Sequence, residues 1–89
     1  MVLTGEMIRA ARALLGWTQD RLGLEAGLVR NTVVTLEAGR VPVSPDSEQR
    51  ILRALERAGI RFTERVEAGH LVQGIELRRP LPRSAPPRG

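Results

Sequence analysis

The chain is predicted to be mainly α. Four to five short helices are expected over residues 1–59, followed by a β-hairpin at 60–79 and a disordered Pro/Arg tail at 80–89. Three observations carry this expectation. Glycines at 16, 27, 39 and 59 cut the first part of the chain into blocks of helical length. Within the blocks, apolar residues recur at three- and four-residue spacing. After Gly59 the period falls to two, as in an extended strand.

The first helix is expected from Gly5 to Leu15, with Thr4 as cap and Glu6 in the first turn, where a carboxylate suits the helix dipole. Ile8, Ala11, Leu14 and Leu15 form its apolar stripe, flanked by Arg9 and Arg12. The second helix runs from Gln19 to Ala26 behind Thr18, with Leu22 and Ala26 facing one way. Gly23 costs about 1 kcal/mol against alanine inside a helix. It either weakens this helix or lets another helix approach closely. The third block, Arg30 to Ala38, places Val33, Leu36 and Thr32 on one face. Its adjacent valines would also suit a strand, but the flanking glycines and the length favour a helix. Val41-Pro42-Val43 is extended, because a residue before proline avoids helix. Ser44 or Asp46 then caps a fourth helix, Pro45 fits its first turn, and Ile51, Leu52, Leu55 and Ala58 form its stripe up to Gly59. Strands are expected near 60–65 and 74–79 around a turn at Glu67-Ala68-Gly69-His70. A lone hairpin is marginal in water, so it must pack on a helix or pair with another chain. Four of the six prolines lie in residues 80–89, which argues against helix or sheet there.

Composition narrows function. At 89 residues the chain holds one domain and excludes a large multi-element enzyme. There is no cysteine, which excludes a disulfide framework, a cysteine zinc site and a thiol nucleophile. His70 is the single histidine, placed in the turn as a surface residue. No catalytic triad, paired carboxylates or phosphate-cradling glycine loop is present. No enzyme activity, cofactor, metal or small-molecule effector is therefore expected. Trp17 and Phe62 are the only aromatics, too few for a base-stacking platform, and Trp17 is expected to pack between the first and fourth helices. Residues 1–20 read neither as a signal peptide nor as a membrane span, so a cytoplasmic, nucleoid-associated location without membrane contact is expected. All 14 basic residues are arginine against 10 acids, net +4, with pI near 11.4. This excess lies mostly beyond residue 60. Arg78, Arg79, Arg83 and Arg88 are free of acids and are either a phosphate-following tail or a solubilising one.

The informative segment is Trp17-Thr18-Gln19, Leu22, Ala26-Gly27, Thr32-Val33 and Leu36-Glu37-Ala38-Gly39. Two short helices with a glycine in a tight turn between them form a helix-turn-helix signature. Over roughly residues 4–58 this pattern resembles the Xre/Cro-repressor family of helix-turn-helix DNA-binding proteins. With its trailing hairpin, the chain looks like small bacterial members of that family. The resemblance implies that the helix near 30–38 enters the major groove of double-stranded DNA while the helix before it crosses the backbone. Gln19 would then contact phosphate, its other reading being an exposed first-turn residue. Arg30 and Asn31 would point at base edges, where arginine grips guanine and asparagine adenine. Val34 and Thr35 share their face, and a methyl there can touch thymine. Arg40 would reach phosphate, or be a plain surface charge. The resemblance also implies a structural ion pair between Arg12 and Glu37. Val29 departs from the family's Ser/Thr cap, and Gly23 from its alanine.

The expected function is a sequence-specific transcriptional regulator, with repression the expected sense. A homodimer is expected, and residues 60–79 are the element offered for it; the competing reading is that the hairpin only caps the helices. The alternative function is a protein–protein adaptor or antitoxin-like partner, motivated by apolar Leu24, Leu28 and Val29 at the turn.

Overall fold

The computed structural model describes residues 3–39 and 44–82. The helices are α1 (Gly5–Leu15), α2 (Gln19–Ala26), α3 (Arg30–Ala38) and α4 (Pro45–Arg57). Strands β1 (Ile60–Glu67) and β2 (His70–Leu77) follow. The described residues therefore hold four helices and one two-stranded antiparallel sheet. Pro80, Leu81 and Pro82 are exposed and outside regular structure. Arg40, the Val41-Pro42-Val43 segment, and Arg83 and Arg88 of the tail lie outside the described residues.

The caps form as the residue types dictate. Thr4, Thr18 and Ser44 each accept a hydrogen bond from the backbone N–H three residues on. Val29 stands at the same position before α3 and supplies none. Pro45 opens α4, where its missing N–H has no helical partner to lose. At the end of α2 the chain turns on Gly27, which adopts φ +70°. The Leu28 N–H donates to the Gly23 carbonyl at 2.8 Å and the Gly27 N–H to the Leu24 carbonyl, so the last carbonyls of α2 are satisfied within the turn.

One core unites the helices with the base of the hairpin. Ile8, Ala11, Leu22, Val33, Ile51 and Leu55 are fully buried, joined by Leu3, Met7, Ala26, Leu36, Ala54 and Ile60. Each Val, Leu, Ile or Met among them contributes about 1.5–3 kcal/mol on burial, and each Ala less. Leu15, Trp17, Leu28, Phe62, Ile75 and Leu77 pack against this cluster from its margin. Trp17 is half-buried, with the Arg21 guanidinium 5.1 Å from its ring centroid.

Several expectations need correction. Leu14 is exposed, and Met7 takes its place on the inner face of α1. In α4 the buried positions are Ile51, Ala54 and Leu55, while Leu52 and Ala58 are half-buried. The helix caps at Ala58, one residue before Gly59. Gly23 is crowded first by its own turn, while the Val33 side chain of α3 stands 3.6 Å from where a Cβ would lie. A Cβ there would lie 2.6 Å from the Leu28 carbonyl oxygen, so it is the turn's own backbone that comes close. The hairpin is longer and more tightly closed than expected. Its register runs from Ile60↔Leu77 to Glu67↔His70, which makes a two-residue loop of Ala68 and Gly69. Both have positive φ, 50° and 79°, the geometry of a type I′ turn. The adjacent apolar pair Leu71-Val72 breaks strict alternation, which hid the start of β2 in the sequence.

These two sites move stability in opposite directions. Gly23→Ala is expected to cost about 1–3 kcal/mol, because the new methyl meets backbone that cannot rotate away. Val29→Ser is expected to gain about 1 kcal/mol by capping α3. Urea unfolding followed by circular dichroism measures both.

Candidate nucleic-acid interface

The position of α3 depends on one carboxylate. Glu37 lies on its inner side and is only 4% exposed. A lone buried carboxylate would be costly, and this one is met by donors from two other helices. Arg12 of α1 reaches it with two bonds, Nε to Oε2 at 2.6 Å and Nη2 to Oε1 at 2.9 Å. The planar guanidinium fits a carboxylate in this paired way. Gln19, the first residue of α2, donates its amide nitrogen to Oε1 at 3.2 Å. Arg12 also donates through Nη1 to the Trp17 carbonyl at 2.9 Å. On the backbone side, Arg9 donates to the Glu37 carbonyl. Gly5 lies so close to that carbonyl that a side chain there would overlap it. Among the described residues, no buried side-chain nitrogen or oxygen lacks a partner.

Hydrogen bonding to Glu37 raises the Arg12 pKa above its ordinary value, and Coulomb attraction to the same group adds to this while burial opposes it. A folded value raised in this way gives stability that is complete below the ordinary arginine range. It is lost only as pH rises through the higher folded value. The arginine's contribution is therefore constant across neutral pH.

With Val33, Leu36 and Glu37 turned inward, the opposite face of α3 is set. Arg30, Asn31 and Val34 are exposed on it, and Thr35 is half-buried beside them. The fold thus brings together four of the six residues singled out from the sequence. The Thr35 hydroxyl donates to the Asn31 carbonyl at 2.8 Å, which leaves its oxygen lone pairs free to accept. Gln19 is not a plain exposed residue, because its amide nitrogen is drawn into the Glu37 cluster. It still lines a groove shared by Arg12, Thr18, Asp20 and Arg30, onto which the starts of α2 and α3 open.

Asp20 was not singled out from the sequence, yet its Oδ1 lies 3.6 Å from Arg30 Nε. Both side chains are solvent-exposed, so the pair itself adds little stability. Its consequence is placement: an acid stands beside the first arginine of the outward face. Only the folded turn brings residues 20 and 30 together. The apolar surface at the turn also differs from expectation. Leu24 and Val29 are 78% and 70% exposed, but Leu28 packs against the core.

Arg12→Met would strand the Glu37 carboxylate with Gln19 as its remaining side-chain donor. The expected cost is about 3–5 kcal/mol, measured as a fall in the urea midpoint. Combining it with Glu37→Leu should recover much of that loss, because the pair is then replaced rather than broken.

No protein-family model matches the chain. A protein of Methanothermobacter thermautotrophicus, named an uncharacterized HTH-type transcriptional regulator, is 43% identical over 54 residues. The alignment covers 61% of this chain and 78% of that relative. Two short helices joined by a glycine turn, the second with a firmly anchored inner side, accord with this similarity. The chain belongs to the family of helix-turn-helix-type transcriptional regulators.

Proposed function

We propose that this protein is a sequence-specific, double-stranded DNA-binding regulator of the Xre/Cro type that acts as a repressor. The observation that carries the reading is the outward face of α3: Arg30, Asn31, Val34 and Thr35 on one side of a helix whose other side is clamped by Glu37. In this reading α3 lies in the major groove. Arg30 takes guanine O6 and N7, and Asn31 takes adenine N6 and N7. Val34 and the Thr35 methyl lie against thymine methyl groups. Gln19 holds α2 to the backbone with its remaining N–H, and Arg40 adds a phosphate contact after α3. Asp20 must yield Arg30 to the DNA, or steer it, as the groove is occupied. A single module buries little surface, so two copies on a two-fold site are needed for useful specificity. Occupying such a site is enough to block transcription. No cofactor enters this mechanism.

A second reading, a protein–protein adaptor or antitoxin-like partner, draws on exposed Leu24 and Val29 at the turn. A mobility-shift titration separates the two. Each base contact is worth about 1–3 kcal/mol. The triple variant Arg30→Ala/Asn31→Ala/Thr35→Ala is therefore expected to lose about 100-fold or more in affinity for a selected duplex while keeping its non-specific binding. Unchanged binding to the selected duplex would sink the α3 assignment and leave the adaptor reading standing.

The tail makes a separate expectation. Arg79, just after β2, donates to the Leu14 carbonyl at the end of α1. Removing residues 80–89 deletes Arg83 and Arg88. If both reach phosphate, the slope of log affinity against log salt should fall by about 1.8 in magnitude. An unchanged slope assigns the tail to solubility alone.

A further inference from the structure

The ion pairs of the fold leave one group of arginines over. Arg12, Arg21, Arg30, Arg50 and Arg65 each have a carboxylate partner. Among the described residues, Arg61, Arg78 and Arg79 have none. All three line one hollow of about 620 Å³ between the second half of α4 and the base of the hairpin. Ligand pockets fall in the range of roughly 300–1,000 Å³.

The hollow is apolar on one side and cationic on the other. Leu52 of α4 and Phe62 of β1 line it, and both are only half-buried, so apolar surface is left against water there. The Arg78 N–H donates to the Gly59 carbonyl at 2.8 Å, which carries the ladder one step beyond the strands. Arg61 faces Glu76 in the register, so Arg78 is its diagonal neighbour on the same face, within reach of long side chains. Glu76 neither pairs with Arg61 nor lines the hollow. Arg79 gives one N–H to the Leu14 carbonyl and keeps the rest of its fork. Glu56 is the single acid of the lining. The shape is set by backbone: Gly59 has φ +104°, and a Cβ there would overlap the Arg78 carbonyl. The end of α4 and the exit of β2 are thus held together before any ligand arrives.

A second hollow, of about 720 Å³ beside the end of α2, also has three arginines, Arg50, Arg53 and Arg57. Its charge is answered from within. Asp46 and Glu25 line it too, Arg50 is paired with Asp46, and Arg57 donates to the Glu25 carbonyl.

We propose that the hollow between α4 and the hairpin base binds a small amphiphilic anion, a phosphate monoester or carboxylate carrying an apolar chain or ring. The apolar part covers Leu52 and Phe62. The head lies between Arg61 and Arg78, whose planar forks take the oxygens of such groups in pairs. A nucleic-acid backbone fits this hollow less well, because it would leave the apolar side uncovered. None of the lining residues belongs to α2 or α3, so the site is separate from the proposed DNA-reading face and does not rest on that reading. It needs no effector domain of its own, since α4 and the hairpin together supply the walls.

Octyl phosphate at monomeric concentration is the probe, with inorganic phosphate as the head alone and octanol as the chain alone. In amide NMR titrations of the full chain, octyl phosphate is expected to shift residues 59–62 and 78–79 saturably and to leave 30–35 in place. Inorganic phosphate and octanol should each bind at least about tenfold more weakly. Arg61→Gln/Arg78→Gln, at exposed positions, should raise the Kd for octyl phosphate about tenfold or more with an unchanged circular dichroism spectrum. Arg50→Gln/Arg53→Gln removes the same charge at the other hollow and should leave that Kd unchanged. Absence of saturable shifts overturns the inference. Equal loss in the two double variants also overturns it, because general charge attraction then suffices. Inorganic phosphate binding as tightly as octyl phosphate would make the hollow a bare phosphate site of the kind a nucleic acid uses. Shifts that appear only with phosphatidylglycerol vesicles would assign it to a bilayer lipid instead of a free molecule.

Discussion

The Glu37 carboxylate holds the helical body in register. It is buried on α3, so its charge is tolerable only where donors surround it, and those donors come from α1 and the start of α2. The satisfied arrangement fixes three helices relative to one another. It also determines rotation. With Glu37 turned inward beside Val33 and Leu36, residues 30, 31 and 34 can only face out. An apolar residue at position 37 would bury more easily, but it would tolerate a sliding or rolling helix. A bidentate ion pair does not. In the proposed DNA-reading role, α3 would need that angular precision more than the last increment of stability.

The motif carries local weaknesses that the clamp offsets. Val29 leaves the start of α3 without a side-chain cap. Gly23 gives up helix propensity in α2 so that the turn can fold back to within hydrogen-bonding distance of its own last carbonyls. A tight turn and a fully propensity-optimised helix are incompatible here, because a methyl at position 23 and the Leu28 carbonyl would claim the same space. Close approach of the backbone at Gly5 beside Glu37 is the same compromise at the other end of α3.

The hairpin divides into two parts with different physics. Ile60, Phe62, Ile75 and Leu77 belong to the core or its margin and anchor the base. Val66 and Leu71, 78% and 60% exposed, pair with each other near the turn and lie beyond the helices. The two readings of the hairpin, cap of the core or contact to another chain, are therefore compatible, since they draw on different residues.

The sequence by itself determined all four helices, the caps Thr4 and Thr18, and the inward identity of Val33, Leu36, Ile51 and Leu55; between Ser44 and Asp46 as the cap of α4, the structure chose Ser44. Glycine stops, side-chain oxygen caps and three-to-four spacing are local signals that act within a turn or two of the residue concerned. It also determined which outward residues α3 offers, because one face of a helix follows from the other. It misplaced Leu14, Leu52 and Ala58, which satisfy helical spacing yet lie at the margin of a stripe whose width is decided by the packing neighbours. It hid the start of β2, where Leu71-Val72 interrupts alternation. Only the tertiary structure decided that Gly23 serves the turn, that Gln19 joins the Glu37 cluster and that Asp20 stands beside Arg30. These are contacts between residues distant along the chain, and the packing has to exist before they can be read.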